Sequence, residues 1–539
     1  MENNYLLVKI KIIIYKMNKP FISFLLILSL FSSNFSKKLT IFAEEEIIST
    51  SFEDGDISMF TPRGEYDAST LTLKKDGGNK GSNYLWISDR KETWNGAQFS
   101  LEGKCKEGEQ YKATVAVKAS SGNICLSMQH TDSSGEDHYN NLQCTESHGS
   151  WTQMKEFKFT IPSGAKTVYL YFENTSGNDD FGIDDFEIKL DSSSIDQDIK
   201  SLKDVYKSYF KFGTATTVDE LAPKTTQDLI LKHFNSLTIG NELKPDYLLD
   251  KSATLQNAQS TGDYTNPLVK IGGAAQILDF CAKNNIPVRG HVLVWHSQTP
   301  SWFFKEKFDD NGNYVDKDTM LKRMENYIKN VFEMMKKDYS NVNFYAWDVV
   351  NEAWEDDGSP RKPGEGNGNS PWVKIFGDNS FIKYAFQYAK KYGIEGCKLF
   401  YNDYNEYIEG KTNAIIKMVN EINSGEKLID GIGMQSHLDV QFPGLSMYES
   451  AVKAFSQTGL DIQVTELDAT TECSSNGFQT QAQYYSDILD VLVKYSRYVS
   501  AVVVWGTTDD KSWRSSQCPL LFNGDYSPKS CFNSIIDGL

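Results

Sequence analysis

The sequence predicts an α/β chain in which an eight-stranded βα barrel follows an all-β unit. Three observations predict it. The 539 residues are enough for two or three domains with large cores. Residues 44–190 break into short alternating or apolar runs separated by Gly, Asn, Ser and Asp. Across residues 201–539 strand-like and helix-like patterns alternate, which is how a parallel sheet is built.

Residues 1–43 stand apart. The run Phe21–Phe31 is too short to span a membrane and fits the apolar region of a secretory signal, with Lys19 as its positive end and Met17 as an alternative start. The expectation is a secreted, extracellular protein with no membrane association once this segment is cleaved. Without it the formal charge moves from −17 to −22, with 49 basic against 71 acidic residues. Such a surface repels nucleic acid and anionic lipid but leaves a neutral polysaccharide untroubled. The eight cysteines have no zinc-ribbon or redox-motif spacing. Three precede residue 190 and five follow it, so separate domains would each keep an odd thiol, and the sequence assigns no bridges.

In the first unit the strand candidates are Thr70–Leu73, Tyr84–Ile87, Tyr111–Val117, Ile124–Gln129, Met154–Ile161, Thr167–Glu173 and Phe181–Leu190. Many short strands with turn punctuation predict a jelly-roll sandwich. This unit is rich in aromatics, and in Tyr169–Glu173 alternation puts Tyr169, Tyr171 and Glu173 on one face and Leu170 and Phe172 on the other. That pattern suits a sugar-binding sheet and equally suits an ordinary amphipathic strand. Residues 191–200 read as a polar linker.

In the second unit the strand candidates are Tyr209–Thr214, Ser236–Asn241, Ile286–Trp295, Asn343–Asn351, Lys398–Asn402, Gly431–His437, Asp461–Thr465 and Ala501–Thr507, with helical patterns between most of them. Eight βα units in about 340 residues match a TIM barrel, whose sites gather at the C-terminal ends of the strands. Glu352 ends the fourth strand and Glu466 the seventh. Burial at a strand end raises a carboxyl pKa, which suits a proton donor near neutral pH. Two glutamates at two strand ends are the minimum equipment of a retaining glycosidase. The other ends are equally polar: Asn241 and Lys244, then His291, Trp295 and Gln298, then Asn351 beside Glu352, Asn402 and Tyr404, Gln435 and His437, and finally Trp505 with Trp513 beyond it. Seven such ends converging on one barrel mouth are hard to explain as packing. A metal-dependent hydrolase lacks support. The chain has no HExxH, and His291 and His296 lie five apart on a strand, hence on opposite faces. No metal and no catalytic cofactor are expected.

On these strand ends the second unit resembles glycoside hydrolase family 10, whose members are mostly endo-β-1,4-xylanases. The resemblance implies that Glu352 is the acid/base and Glu466 the nucleophile. The other residues named would hold substrate or tune the carboxylates, with His437, steadied by Asp468, donating to Glu466, and Asn351 gripping a sugar 2-hydroxyl. One departure is visible: the family usually has a glutamate before Asn241, and here it is Gly240. The first unit resembles a family 22 carbohydrate-binding module through Phe52-Glu53-Asp54-Gly55, Thr93-Trp94-Asn95-Gly96-Ala97, Tyr171-x-Glu173 and Phe181-Gly182-Ile183-Asp184-Asp185. By that resemblance Arg63, Trp94, Tyr139, Tyr171 and Glu173 line a xylan groove. Such modules often hold a structural calcium, and the acidic N-terminal turn and Asp185 allow one. Xylan and xylo-oligosaccharides are the implied partners of a monomer. A β-1,4-glucanase on the same barrel and a non-catalytic polysaccharide-binding protein are the alternatives.

Overall fold

The structure, a computed structural model, describes residues 46–538 apart from 65–67, 133–134, 163 and 192–194. The signal-like segment 1–43 lies outside the described residues, and the linker 191–200 is described in part.

The first unit is a sandwich of two antiparallel sheets. One holds β1 (Glu46–Thr50), β3 (Thr70–Lys74), β4 (Tyr84–Ser88), β6 (Gln110–Ala119), β9 (Thr152–Thr160) and β11 (Phe181–Leu190). The other runs in the order β2 (Thr61–Arg63), β5 (Gly96–Ser100), β10 (Thr167–Asn174), β7 (Asn123–Thr131) and β8 (Asp137–Glu146). Phe60, Phe99, Phe172 and Phe186 meet between the sheets with centroids 5.4–6.4 Å apart. Each buried ring is worth roughly 1.5–3 kcal/mol of apolar transfer. Four strands fall outside the expected runs: β1, β2, β5 and β8. β8 is a polar edge strand with no buried face, so alternation has nothing to mark. A cross-strand disulfide, Cys125–Cys144, ties it to β7.

The second unit is a closed parallel barrel. Its strands are β12 (Lys211–Thr216), β13 (Ser236–Ile239), β14 (Val288–Trp295), β15 (Phe344–Asn351), β16 (Lys398–Asp403), β17 (Gly431–Met434), β19 (Asp461–Thr470) and β20 (Val499–Val504), and pairing of β17 with β19 shuts the ring. The sixth strand is not one run to His437. Ser436 takes φ 57°, which ends β17, and the chain restarts as β18 (His437–Asp439) against β19. The helices follow the apolar periodicity; the longest, Lys317–Asp338, is capped by Asp316, which accepts from Thr319 N at 2.7 Å. A second disulfide, Cys473–Cys518, closes a barrel loop, while Cys105, Cys281, Cys397 and Cys531 stay free. The two units touch: Lys158 Nζ donates to Gly524 O at 3.0 Å, and Lys224 N to Gly108 O at 3.1 Å. Among the described residues no helix is long and apolar enough to cross a membrane.

Candidate active site

The C-terminal strand ends open into a cleft of ≈ 680 Å³. Glu352 follows the last residue of β15 and takes φ 57°, a left-handed turn that costs a non-glycine residue about 1–2 kcal/mol. Its N–H is held by Asn402 O at 2.9 Å. Its carboxylate accepts from Asn351 Nδ2 (2.9 Å) and Gln435 Nε2 (2.9 Å) on one oxygen and from Trp295 Nε1 (3.1 Å) on the other. Three strand ends thus aim one carboxyl group, and a strained turn pointed at a cleft is a mark of function.

Glu466, inside β19, is held as firmly. Asn402 Nδ2 donates to one oxygen at 2.8 Å, and His437 Nε2 lies 3.2 Å from the other. Burial pushes this carboxyl up, but the bond from His437, the charges of His291 and His437 and the bond from Asn402 outweigh it and bring the group down to about 2. It is therefore ionised at neutral pH. His437 Nδ1 lies 2.9 Å from Asp468 Oδ2. Burial opposes its charge, yet Asp468 and Glu466 push the imidazole up to about 10, so both ring nitrogens donate. Asp468 also accepts from Trp513 Nε1 at 3.0 Å and from Arg514 Nη1 at 2.7 Å. One chain of contacts joins the two glutamates, because Asn402 Nδ2 also donates to Asn351 Oδ1 at 2.8 Å.

The sequence-predicted residues fall into two groups. Asn241, Lys244, His291, Trp295, Gln298, Asn351, Tyr404, Gln435, His437, Trp505 and Trp513 line the cleft with the two glutamates. Asn402 does not. It is fully buried and serves from behind, orienting Asn351 and Glu466. Lys244 Nζ donates to Asn241 Oδ1 (2.9 Å) and Gln298 Oε1 (2.8 Å), and burial lowers its pKa against the pull of both glutamates. His291 Nδ1 is 2.9 Å from Asp348 Oδ2, itself paired with the buried Arg289, which leaves Nε2 available to the cleft. Trp505 and Trp513 flank His437, with centroids 6.4 and 5.1 Å away.

His296 corrects the expectation of opposite faces. β14 stops at Trp295, so alternation does not carry on, and His291 and His296 both line the cleft. Burial brings His296 down to about 3, so it is neutral there. At Gly240 an added Cβ would touch Thr217 Cγ2 at 3.4 Å and Thr216 O at 3.5 Å, ordinary contact that a side chain can make, and Thr217 and Glu220 line the same cleft. Arg361 was not foreseen. Its Nε donates to Glu352 O at 2.5 Å and its Nη2 to Tyr404 OH at 3.1 Å, which braces the turn at Glu352. It sits in a loop rich in Gly, Pro and Asn, where no periodic pattern singles it out.

In the sandwich, Arg63, Tyr139, Tyr171 and Glu173 share one face of the β2-β5-β10-β7-β8 sheet, opposite the phenylalanine core. Arg63 lies 3.5 Å above the Tyr171 ring and 5.8 Å from that of Tyr139, and donates to Gln129 Oε1 at 2.9 Å. Glu173 accepts from Ser127 Oγ at 2.6 Å. Trp94 packs near Gly64 and is 44% exposed, Tyr139 is 58% exposed, and Tyr171 only 4%. The guanidinium occupies the Tyr171 ring face, so Trp94 and Tyr139 are the rings of this group that stay exposed.

Comparisons with known proteins agree with this layout. The family model described as glycosyl hydrolase family 10 matches residues 201–538, and one described as a carbohydrate binding domain matches residues 45–179. The chain is 40% identical over 495 residues to endo-1,4-beta-xylanase Y of Acetivibrio thermocellus, covering 86% of this chain and 44% of that protein. It is 34% identical over 518 residues to endo-1,4-beta-xylanase A of Thermotoga maritima, covering 91% and 46%. It thus spans less than half the length of these curated relatives. Among solved structures it is similar to the CBM22-1–GH10 modules of Clostridium thermocellum endo-1,4-beta-D-xylanase 10B complexed with xylohexaose, at 37% identity and a TM-score of 0.61, over 92% of this chain and 97% of that one. By the match across the whole barrel, the chain belongs to glycosyl hydrolase family 10.

Proposed function

We propose that this protein is an endo-β-1,4-xylanase that cuts internal bonds of xylan by retaining double displacement. One observation carries the reading: an ionised glutamate and a second, differently held glutamate face one open cleft and share the Asn351–Asn402 link. In the first step a Glu466 oxygen attacks the anomeric carbon while Glu352 gives its proton to the departing glycosidic oxygen. In the second, Glu352 takes a proton from water, whose oxygen displaces Glu466 and restores the carboxylate. His437 and Asn402 keep Glu466 charged and aimed. Asn351 is placed to hold the sugar 2-hydroxyl. The xylohexaose bound by the related two-module structure supports xylan as the substrate. Proton NMR of soluble xylan during hydrolysis tests the reading: the β-anomer should appear first. An α-anomer appearing first, or faster cleavage of carboxymethylcellulose than of xylan, would overturn it.

The protein is read as a secreted monomer, and two disulfides support an oxidising compartment. The sandwich is read as its xylan-binding module. A calcium ion there fits the residues present. Burial pushes the Asp184 carboxyl up against the N–H bonds it accepts from Asn79 and Asp185, and the like charges of Asp185 and Glu53 add to the rise. A Cβ at Gly78 would lie 2.8 Å from Asn83 O, 3.0 Å from Asp184 Oδ2 and 3.1 Å from Gly81 O, an oxygen-lined cradle of the kind calcium takes. Asp184 and the carbonyls of Asn83 and Gly81 would hold the ion; among the described residues the three acidic or histidine side chains close enough to share one are Asp132, Glu136 and His138, elsewhere in the sandwich. A chelator should lower the melting temperature of the full chain, and calcium should restore it.

A further inference from the structure

The barrel has a second hollow, of ≈ 630 Å³, at the end opposite the cleft. It lies where four strands begin, since Lys211, Lys398, Asp461 and Val499 are the first residues of β12, β16, β19 and β20. Its charge is unlike that of the rest of the molecule. Five cations line it, Lys207, Lys211, Lys398, Lys427 and Arg497, against two carboxylates, in a chain of formal charge −17. Lys398 pairs with Asp461 at 2.6 Å and Lys427 with Asp430 at 3.6 Å. Among the described residues Lys207, Lys211 and Arg497 form no ion pair. The hollow also carries two rings, Tyr209 and Tyr498, each 37% exposed. Polar loops at this end of a barrel ordinarily serve stability. This face pairs two of its five cations with carboxylates; of the other three, Lys211 lies 5.6 Å from the Tyr345 ring and Arg497 5.9 Å from that of Tyr498, so three cations lack a carboxylate and two rings stay part-exposed.

We propose that this hollow is a second glycan-binding site, selective for a polysaccharide that carries carboxylates, such as a xylan bearing uronic-acid branches. The tyrosine rings offer apolar faces for sugar rings. The unpaired cations attract a carboxylate that the rest of this acidic surface repels, over the roughly 10 Å that salt at 0.1 M allows. The xylan backbone in this statement rests on the proposed function; the demand for a ring and a carboxylate does not.

The test uses the full chain with Trp94→Ala as parent, so that the module's ring contributes nothing. Lys207→Ser with Arg497→Ser, and separately Tyr209→Ala with Tyr498→Ala, are compared by affinity electrophoresis in glucuronoxylan, in uronate-free linear xylan and in dextran sulfate. The charge variant should bind glucuronoxylan at least threefold more weakly and linear xylan unchanged. The ring variant should weaken in both xylan gels. Both should keep the parent's kcat/KM on an aryl xylobioside, which reports an intact active site and tests the proposed function separately. Unchanged retardation of both variants in glucuronoxylan overturns the site. So does a matching loss on dextran sulfate, which would mark a patch for any polyanion.

Discussion

The barrel mouth and the Arg63–Tyr171 face of the sandwich are both polar, aromatic surfaces, yet they are held in opposite ways. At the mouth the two carboxylates and the groups that hold them are buried or half-buried and bonded to a neighbour, although Trp513 at the rim stands 67% exposed. Glu352 has three donors, Glu466 two, and Asp468 is shared by His437, Trp513 and Arg514. On the sandwich the rings of Trp94 and Tyr139 stand 44% and 58% exposed. Catalysis needs groups fixed before the transition state forms, because reorganisation would cost the rate that alignment supplies. Binding a flexible chain needs apolar faces and tolerates movement. Substitutions at the mouth should therefore change rate by orders of magnitude, and those on the sandwich should change affinity a few fold.

The largest effect belongs to Glu466→Ala. If the proposed double displacement holds, no other group can form its covalent intermediate, and activity should fall roughly 10⁵-fold on xylan and on activated aryl xylobiosides alike. A 2-fluoro xylobioside should label the unaltered protein on the peptide containing Thr465, Glu466 and Leu467, as mass spectrometry of a digest would show. The retaining geometry also asks that the carboxyl groups of Glu352 and Glu466 stand about 5–5.5 Å apart. Label on another carboxylate would erase the contrast between the two surfaces.

Glu352→Ala should come next, with a loss of about 10²–10⁴-fold on xylan. An aryl glycoside whose leaving group needs no proton should still be cleaved in the first step, and azide should then rescue the second with retained configuration. Equal loss on every substrate, with no azide effect, would remove Glu352 from the acid/base role.

His437→Ala should show itself through pH. Glu466 is depressed in the fold to about 2, so the stability it contributes is complete above its ordinary value near 4.5 and is lost as pH falls through 2. His437 is raised to about 10, so its contribution is complete below 6.5 and is lost as pH rises through 10. Removing the imidazolium should raise the Glu466 pKa and move the acidic limb of kcat/KM upward. It should also flatten the decline of melting temperature between pH 6.5 and 10. An unmoved acidic limb would mean that Asn402 and His291 suffice to hold the charge.

The same contrast explains what could be read from the chain. Glu352, Glu466 and the polar strand ends were legible because strands announce themselves by composition and a barrel gathers their C-terminal ends. Partnerships were not. Nothing local says that Asn402 serves two side chains from behind, that Arg361 reaches back from its loop to Glu352, or that Cys473 meets Cys518 across 45 residues. Register was lost where the backbone leaves the strand: Ser436 breaks the sixth strand and Trp295 ends the third. Polar edge strands such as β8 carry no burial signal at all.

The smallest effect belongs to the sandwich, and it separates an open ring from a covered one. Trp94 stands near Gly64 at the rim with its ring exposed, whereas Tyr171 lies beneath the Arg63 guanidinium at 3.5 Å. If the exposed Trp94 ring stacks on xylose, Trp94→Ala should weaken xylan binding by ~1 kcal/mol, about fivefold, in affinity gels run with full-length protein. Tyr171→Phe keeps the ring beneath Arg63 and should leave retardation close to that of the unaltered protein. Arg63→Ala should bring out the difference, because the guanidinium bonded to Gln98 and Gln129 is lost while the Tyr171 face is uncovered. If Tyr171 is only a support, binding should fall; if its ring can take a sugar, uncovering it should preserve binding. A Trp94→Ala protein retarded as strongly as its parent would show that this aromatic rim does not grip the chain.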